Sequence, residues 1–144
     1  MVIGSDNIFK FDLKAAYQRF KDTNKTTIIG YDVKELELAK KYGIIDIDKN
    51  NKVLEFLEKP EDPPSTLAAI CVYFYPKAVL PKIAEYLAEG ENYLKPEQFK
   101  KRKDAPGNFP SRLLEFDDVY AQIHDEARYD VGGFESLKSA KEDF

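Results

Sequence analysis

The sequence predicts an α/β fold of three layers, helix on sheet on helix, around a mixed, mostly parallel sheet that carries one β-hairpin. Three observations lead there. Short β-branched, apolar runs alternate with stretches of helical periodicity along the chain. Two of those runs are joined only by the turn formers Asp48-Lys49-Asn50-Asn51, which marks the hairpin. Finally, 144 residues with 43% hydrophobic and 33% charged side chains suit one globular domain, 1–144, and leave no room for a second full-sized one.

Each element has its own signal. Val2-Ile3-Gly4 reads as the end of a buried strand, and Ser5-Asp6-Asn7 turns away from it, so a preceding segment is expected. Asp12 is placed to cap a helix running to about Asp22, with Leu13, Ala16, Tyr17 and Phe20 on one face. Thr26 to Tyr31 is a buried strand by composition. Glu35 to Lys41 reads as a short helix that Gly43 would terminate. The hairpin strands are Ile44 to Ile47 and Val53 to Leu57, and Pro60, Pro63 and Pro64 mark the loop beyond them.

Ala68 to Tyr75 is the most hydrophobic strand candidate. A helix from about Ala78 to Glu89 follows, with Val79, Leu80, Ile83, Tyr86 and Leu87 facing inward. The polar stretch Gly90 to Gly107 reads as a solvated loop or helix end despite its basic centre. Phe109 to Phe116 suggests a short helix, Val119 to His124 a strand, and Phe134 to Lys141 a closing helix.

Composition also limits function. Cys71 and His124 are each the single residue of their type, which excludes a disulfide framework and any zinc site built on several cysteines or histidines. With 22 basic and 26 acidic side chains the formal charge is −4, giving no electrostatic reason to expect a nucleic-acid partner. The longest apolar run, Leu67 to Tyr75, is far short of the roughly 20 residues a membrane helix needs. A cytoplasmic protein without a membrane partner is the expectation.

Four small constellations bear on chemistry. Asp6 lies just past a strand end, where open α/β sheets bind ligands; it is either a metal-ligating carboxylate or an Asx-turn residue. Asp130, before Val131-Gly132-Gly133, is likewise a strand-end carboxylate or a cap. Glu58-Lys59-Pro60 closes the second hairpin strand: a carboxylate suits sugar hydroxyls and an ammonium suits a phosphate. Pro60 is expected to hold Lys59 extended, so that Glu58 and Lys59 project to opposite faces. Tyr42-Gly43 either admits a ligand close to the backbone or caps a helix. Tyr73, Phe74 and Tyr75 read as core, His124 as structural or surface, and Cys71 as an inert buried thiol.

Their order along the chain is Asp-Asn, Tyr-Gly, a hairpin, Glu-Lys-Pro, an aromatic strand and Asp-x-Gly. In this order the chain resembles the sugar-nucleotide nucleotidyltransferase family, of the glucose-1-phosphate thymidylyltransferase type, most closely at Leu38-Ala39-Lys40-Lys41-Tyr42-Gly43 and Glu58-Lys59-Pro60. The resemblance is to the C-terminal, sugar-phosphate- and metal-binding half, hence to an incomplete Rossmann-like nucleotidyltransferase fold. It implies Mg²⁺ held by Asp6 and Asp130, sugar contacts at Tyr42, Gly43 and Glu58, and Lys59 on the sugar-1-phosphate as the catalytic lysine. The implied reaction joins a sugar-1-phosphate to a nucleoside triphosphate and releases pyrophosphate. The family's Gly-rich triphosphate loop has no counterpart here, Ile70-Cys71 stands where Thr-Gly is usual, Ser5 replaces the glycine before the aspartate, and Gly133 a frequent threonine. The isolated chain is therefore expected to be inactive. The alternative is a non-catalytic module that binds a sugar nucleotide or docks onto a partner, either a second copy or a separate N-terminal half.

Overall fold

The computed structural model describes residues 1–125, 128–130, 138 and 141, with the backbone alone at 102 and 128–130. Eight strands are described: β1 (Val2–Ile3), β2 (Asn7–Phe9), β3 (Thr26–Asp32), β4 (Gly43–Ile47), β5 (Val53–Glu58), β6 (Leu67–Phe74), β7 (Val119–His124) and β8 (Arg128–Asp130). The helices are α1 (Lys14–Thr23), α2 (Leu36–Ala39), α3 (Leu80–Tyr93), α4 (Pro96–Asp104) and α5 (Asn108–Leu113). A 3₁₀ turn, Lys77–Val79, leads into α3. The expected closing helix lies, but for Lys138 and Lys141, outside the described residues. Among the described residues no helix is long and apolar enough to cross a membrane.

Five strands line up as β5-β4-β6-β3-β7, and β1 joins as the sixth by pairing with β6. The sheet is mixed, as expected, but it is not mostly parallel. Among the described residues of this sheet, only β3 and β7 run parallel; β1–β6, β3–β6, β4–β5 and β4–β6 are all antiparallel. The reason lies in the connections. A parallel neighbour needs a crossover of a dozen or more residues, usually a helix. No helix separates β4 from β5 or β5 from β6.

Strand alternation then builds three layers. On one face of the sheet, Ile28, Ile45, Phe56, Ala69, Tyr73 and Ala121 pack with Val79 and Tyr86 of the α3 segment and with Phe109 and Leu113 of α5. On the other, Ile29, Ile70, Val72 and Phe74 pack with Phe11 and Ala16, and Ile44 and Ala68 with Val33 and Ala39 of α2. β6 supplies both layers from alternate residues. His124 is buried and stacks on Phe11, its ring 4.2 Å away, a packing role.

Several local expectations need correction. β1 is a strand but not a buried one: Val2 and Ile3 are 44% and 41% exposed, and among the described residues β1 pairs with β6 alone. The Asp12 carboxylate accepts the Lys14 amide at 2.9 Å, so it caps α1 from just outside the first turn. α2 is only four residues long, and Gly43 does not terminate it; Gly43 opens β4, and no glycine among the described residues has positive φ. Leu80 and Leu87 of α3 face outward, whereas Val79, Tyr86 and Gly90 are buried. Gly90 to Gly107 holds the whole of α4.

Candidate active site

One edge of β6 is taken by β3 along its length. The other edge is divided: β4 pairs at Ala68 and Ala69, and β1 pairs at Val72 and Tyr73. Where these two strands part, a cleft of about 380 Å³ opens. Its floor is Ala69, Cys71 and Tyr73, alternate residues of β6 that share a face.

Three walls rise around that floor, from distant parts of the sequence. The first is Gly4 to Asn7. The Gly4 amide donates to the Cys71 carbonyl at 2.7 Å, which extends the β1–β6 pairing by one residue and places the turn bearing Asp6 at the rim. The Asn7 side-chain Nδ2 donates to Asp6 Oδ1 at 3.1 Å. Asn7 then enters β2, whose antiparallel register with β8 sets the Asn7 backbone directly opposite that of Asp130. Two carboxylate-bearing positions more than a hundred residues apart are thus neighbours in backbone position.

The second wall is Lys41, Tyr42 and Gly43 with Glu58 and Lys59. Gly43 pairs with Glu58 across the hairpin, and the Lys59 amide donates to the Tyr42 carbonyl at 3.1 Å. Lys59 is not extended. Its φ is +48°, in the left-handed region. The reversal at this residue brings Glu58 and Lys59 to one cleft and not to opposite faces, overriding the restraint expected from Pro60. The third wall is Asp104, at the end of α4, with Pro106 and Gly107 in the link from α4 to α5.

Electrostatics follow the burial. The Glu58 carboxyl is pushed above its ordinary range by burial, and the Lys59 charge partly offsets this. Burial, and then the Asp6 charge, raise the Cys71 thiol. Cys71 is half-buried on the cleft floor, in place of the inert core position its apolar neighbours suggest. The cleft lining carries two lysines, Lys41 and Lys59, and three carboxylates, Asp6, Glu58 and Asp104.

Tyr42, Gly43, Glu58, Lys59 and Asp6 therefore share one cleft, and Asp130 stands beside it in backbone register. Sequence reasoning missed Lys41, Asp104, Pro106 and Gly107. The Pro106-Gly107 turn signal was the only mark that the α4–α5 link carried, and it does not say what the link faces.

Solved structures share this architecture. A Bacillus anthracis protein described as a glucose-1-phosphate thymidylyltransferase, in complex with sucrose, matches with a TM-score of 0.72 at 22% identity, over 97% of this chain and 52% of that one. A UDP-glucose pyrophosphorylase complexed with UDP-glucose matches with a TM-score of 0.75 at 24% identity, over 98% of this chain and 54% of that one. The chain spans about half the length of either protein, and at these identities the likeness is one of fold. The family model described as nucleotidyl transferase matches residues 1–144, and the chain belongs to that family.

Proposed function

We propose that this chain forms the sugar-1-phosphate-binding part of a nucleotidyltransferase site, of the glucose-1-phosphate thymidylyltransferase type. The observation that carries the reading is the left-handed Lys59, which puts its ammonium and the Glu58 carboxyl in the same cleft as Tyr42 and Gly43. In the reaction, an oxygen of the sugar-1-phosphate attacks the α-phosphorus of a nucleoside triphosphate, and the bond to the departing pyrophosphate breaks. Glu58 accepts hydrogen bonds from sugar hydroxyls, and Gly43 lets the sugar approach the backbone. Lys59 neutralises charge on the sugar-1-phosphate, a positioning and electrostatic contribution.

The reading implies Mg²⁺, and the hard oxygen of the Asp6 carboxylate at the cleft rim suits it. Mg²⁺ takes one or two carboxylates with substrate phosphates and water; Asp6 would supply one, and the family resemblance makes Asp130, whose backbone lies opposite Asn7, the second. When bound, the ion would offset negative charge on the phosphates. No Gly-rich triphosphate loop exists within the 144 residues, so we expect this polypeptide alone to release no pyrophosphate.

The test is a titration with glucose-1-phosphate and Mg²⁺, followed by amide NMR. Shifts at Gly43, Glu58 and Lys59 are expected. A charged hydrogen bond contributes roughly 1.5–3 kcal/mol, so K59A should weaken binding about ten- to a hundredfold. Silence at all three amides would remove the sugar site. Rapid pyrophosphate release from this chain with a triphosphate would overturn the expected inactivity. A second reading, docking onto a separate N-terminal half or a second copy, is favoured by Val2 and Ile3, exposed on β1, which among the described residues pairs on one edge. A monomer at all concentrations in light scattering would count against the second copy.

A further inference from the structure

We propose that Gly107 is a positioning residue for Glu58, holding the carboxyl in the cleft through the Cβ that glycine lacks. The argument begins with what Gly107 is not. Its φ of −69° and ψ of −18° are ordinary helical values open to any residue, so no left-handed turn demands a glycine there. Space does. A Cβ on Gly107 would overlap Glu58 Oε2 and lie 3.0 Å from Glu58 Cδ and 2.8 Å from Phe56 Cε1. Gly43, in β4, approaches the same groups from its own position: a Cβ there would lie 3.1 Å from Glu58 Oε2 and 2.5 Å from Phe56 Cε1. The Glu58 carboxyl and the Phe56 ring edge therefore fit against two bare backbone segments sixty-four positions apart.

The Gly107 side of this fit is anchored. Phe109 and Leu113 of α5 are buried in the core, and Ser111 Oγ donates to the Phe56 carbonyl at 2.9 Å, tying α5 to β5. A methyl group at 107 cannot be relieved by moving α5 without breaking these contacts, so the carboxyl yields instead. The α4–α5 link thereby sets where Glu58 presents its oxygens, although it lies almost fifty residues further along the chain. The effect on ligand rests on the sugar-site reading above; the contact itself does not.

The two are separated by experiment on the full chain. In the wild-type protein, carbon-13 labelled and with the Glu58 carboxyl signal assigned by E58Q, a nuclear Overhauser contact between Gly107 Hα and Glu58 Hγ is expected. Its absence overturns the proposal whether or not G107A folds. In G107A the Glu58 carboxyl resonance should move while that of Asp48, in the distant hairpin turn, stays. A folded G107A with an unmoved Glu58 signal overturns it too. Glucose-1-phosphate should bind G107A about tenfold more weakly, whereas G107A in an E58A background should cause no further loss, since nothing remains to be positioned. Equal losses in both backgrounds would mean that Gly107 acts on packing alone, which also overturns the proposal. A wild-type chain that fails to bind glucose-1-phosphate, yet shows the contact and the moved resonance, would sink the sugar site and leave the positioning role standing.

Discussion

Lys59 joins strain to chemistry. A non-glycine residue in the left-handed region costs about 1–2 kcal/mol, and here the cost falls on the residue whose ammonium the cleft presents. Replacement by glycine should therefore stabilise the fold by about 1 kcal/mol while weakening phosphate binding, and K59A should show the binding loss without the gain; urea unfolding of the two variants checks this. Glu58 and Asp32 titrate with opposite signs. Burial raises Glu58 above its ordinary 4.5, so the folded chain holds that proton more tightly than the unfolded one. Its contribution is complete below pH 4.5 and is lost as pH rises through the elevated folded value, leaving a cost at neutral pH. E58Q should accordingly unfold at a higher temperature than wild type at pH 7, with the difference vanishing near pH 4. Asp32 is lowered from 3.8 to about 2 by the Thr66 hydroxyl at 2.6 Å and by Lys34. Its contribution is present above pH 3.8 and is lost as pH falls towards 2, a window that T66V should narrow. At this scale the sequence disclosed residue types and their order, enough to single out Glu58, Lys59 and Gly43. It did not disclose the sign of φ at Lys59, because the hairpin closure through the Tyr42 carbonyl outweighs the local preference that Pro60 sets.

Elements were legible where their periodicity was strong. β3, the hairpin, β6 and β7 fall within a residue or two of expectation, since each is a β-branched or aromatic run bounded by turn formers. α2 and α4 show the limits. α2 shrinks to a single turn because Ala39 is its one buried residue, while α4 forms in a polar stretch, with Pro96 at its first position and Glu97 in its first turn. What a short helix contributes shows best at α5. Leu113 is fully buried, and L113A should cost about 2–5 kcal/mol. Because the same helix continues the Gly107 wall, L113A should also loosen the α4–α5 link, which a fall in glucose-1-phosphate affinity without any change at Asp6 would report.

For the molecule as a whole, the parallel-versus-antiparallel balance was the feature least visible in advance. Counting alternating strands and helices treats every connection as a crossover, whereas β4, β5 and β6 follow one another without helices and must reverse. The match over 1–144 and the half-length coverage of the solved structures set the frame: a family member whose described residues line a cleft with three walls. That cleft has a division of labour. Its floor belongs to β6, bonded along both edges and contributing to the core on both faces, while its walls come from 4–7, from 41–43 with 58–59, and from 104–107. Hydrogen–deuterium exchange should accordingly be slowest at the amides of β6 and fastest along the walls. Such a layout lets ligand preference drift, or be re-engineered, by grafting one wall at a time onto an unchanged foundation.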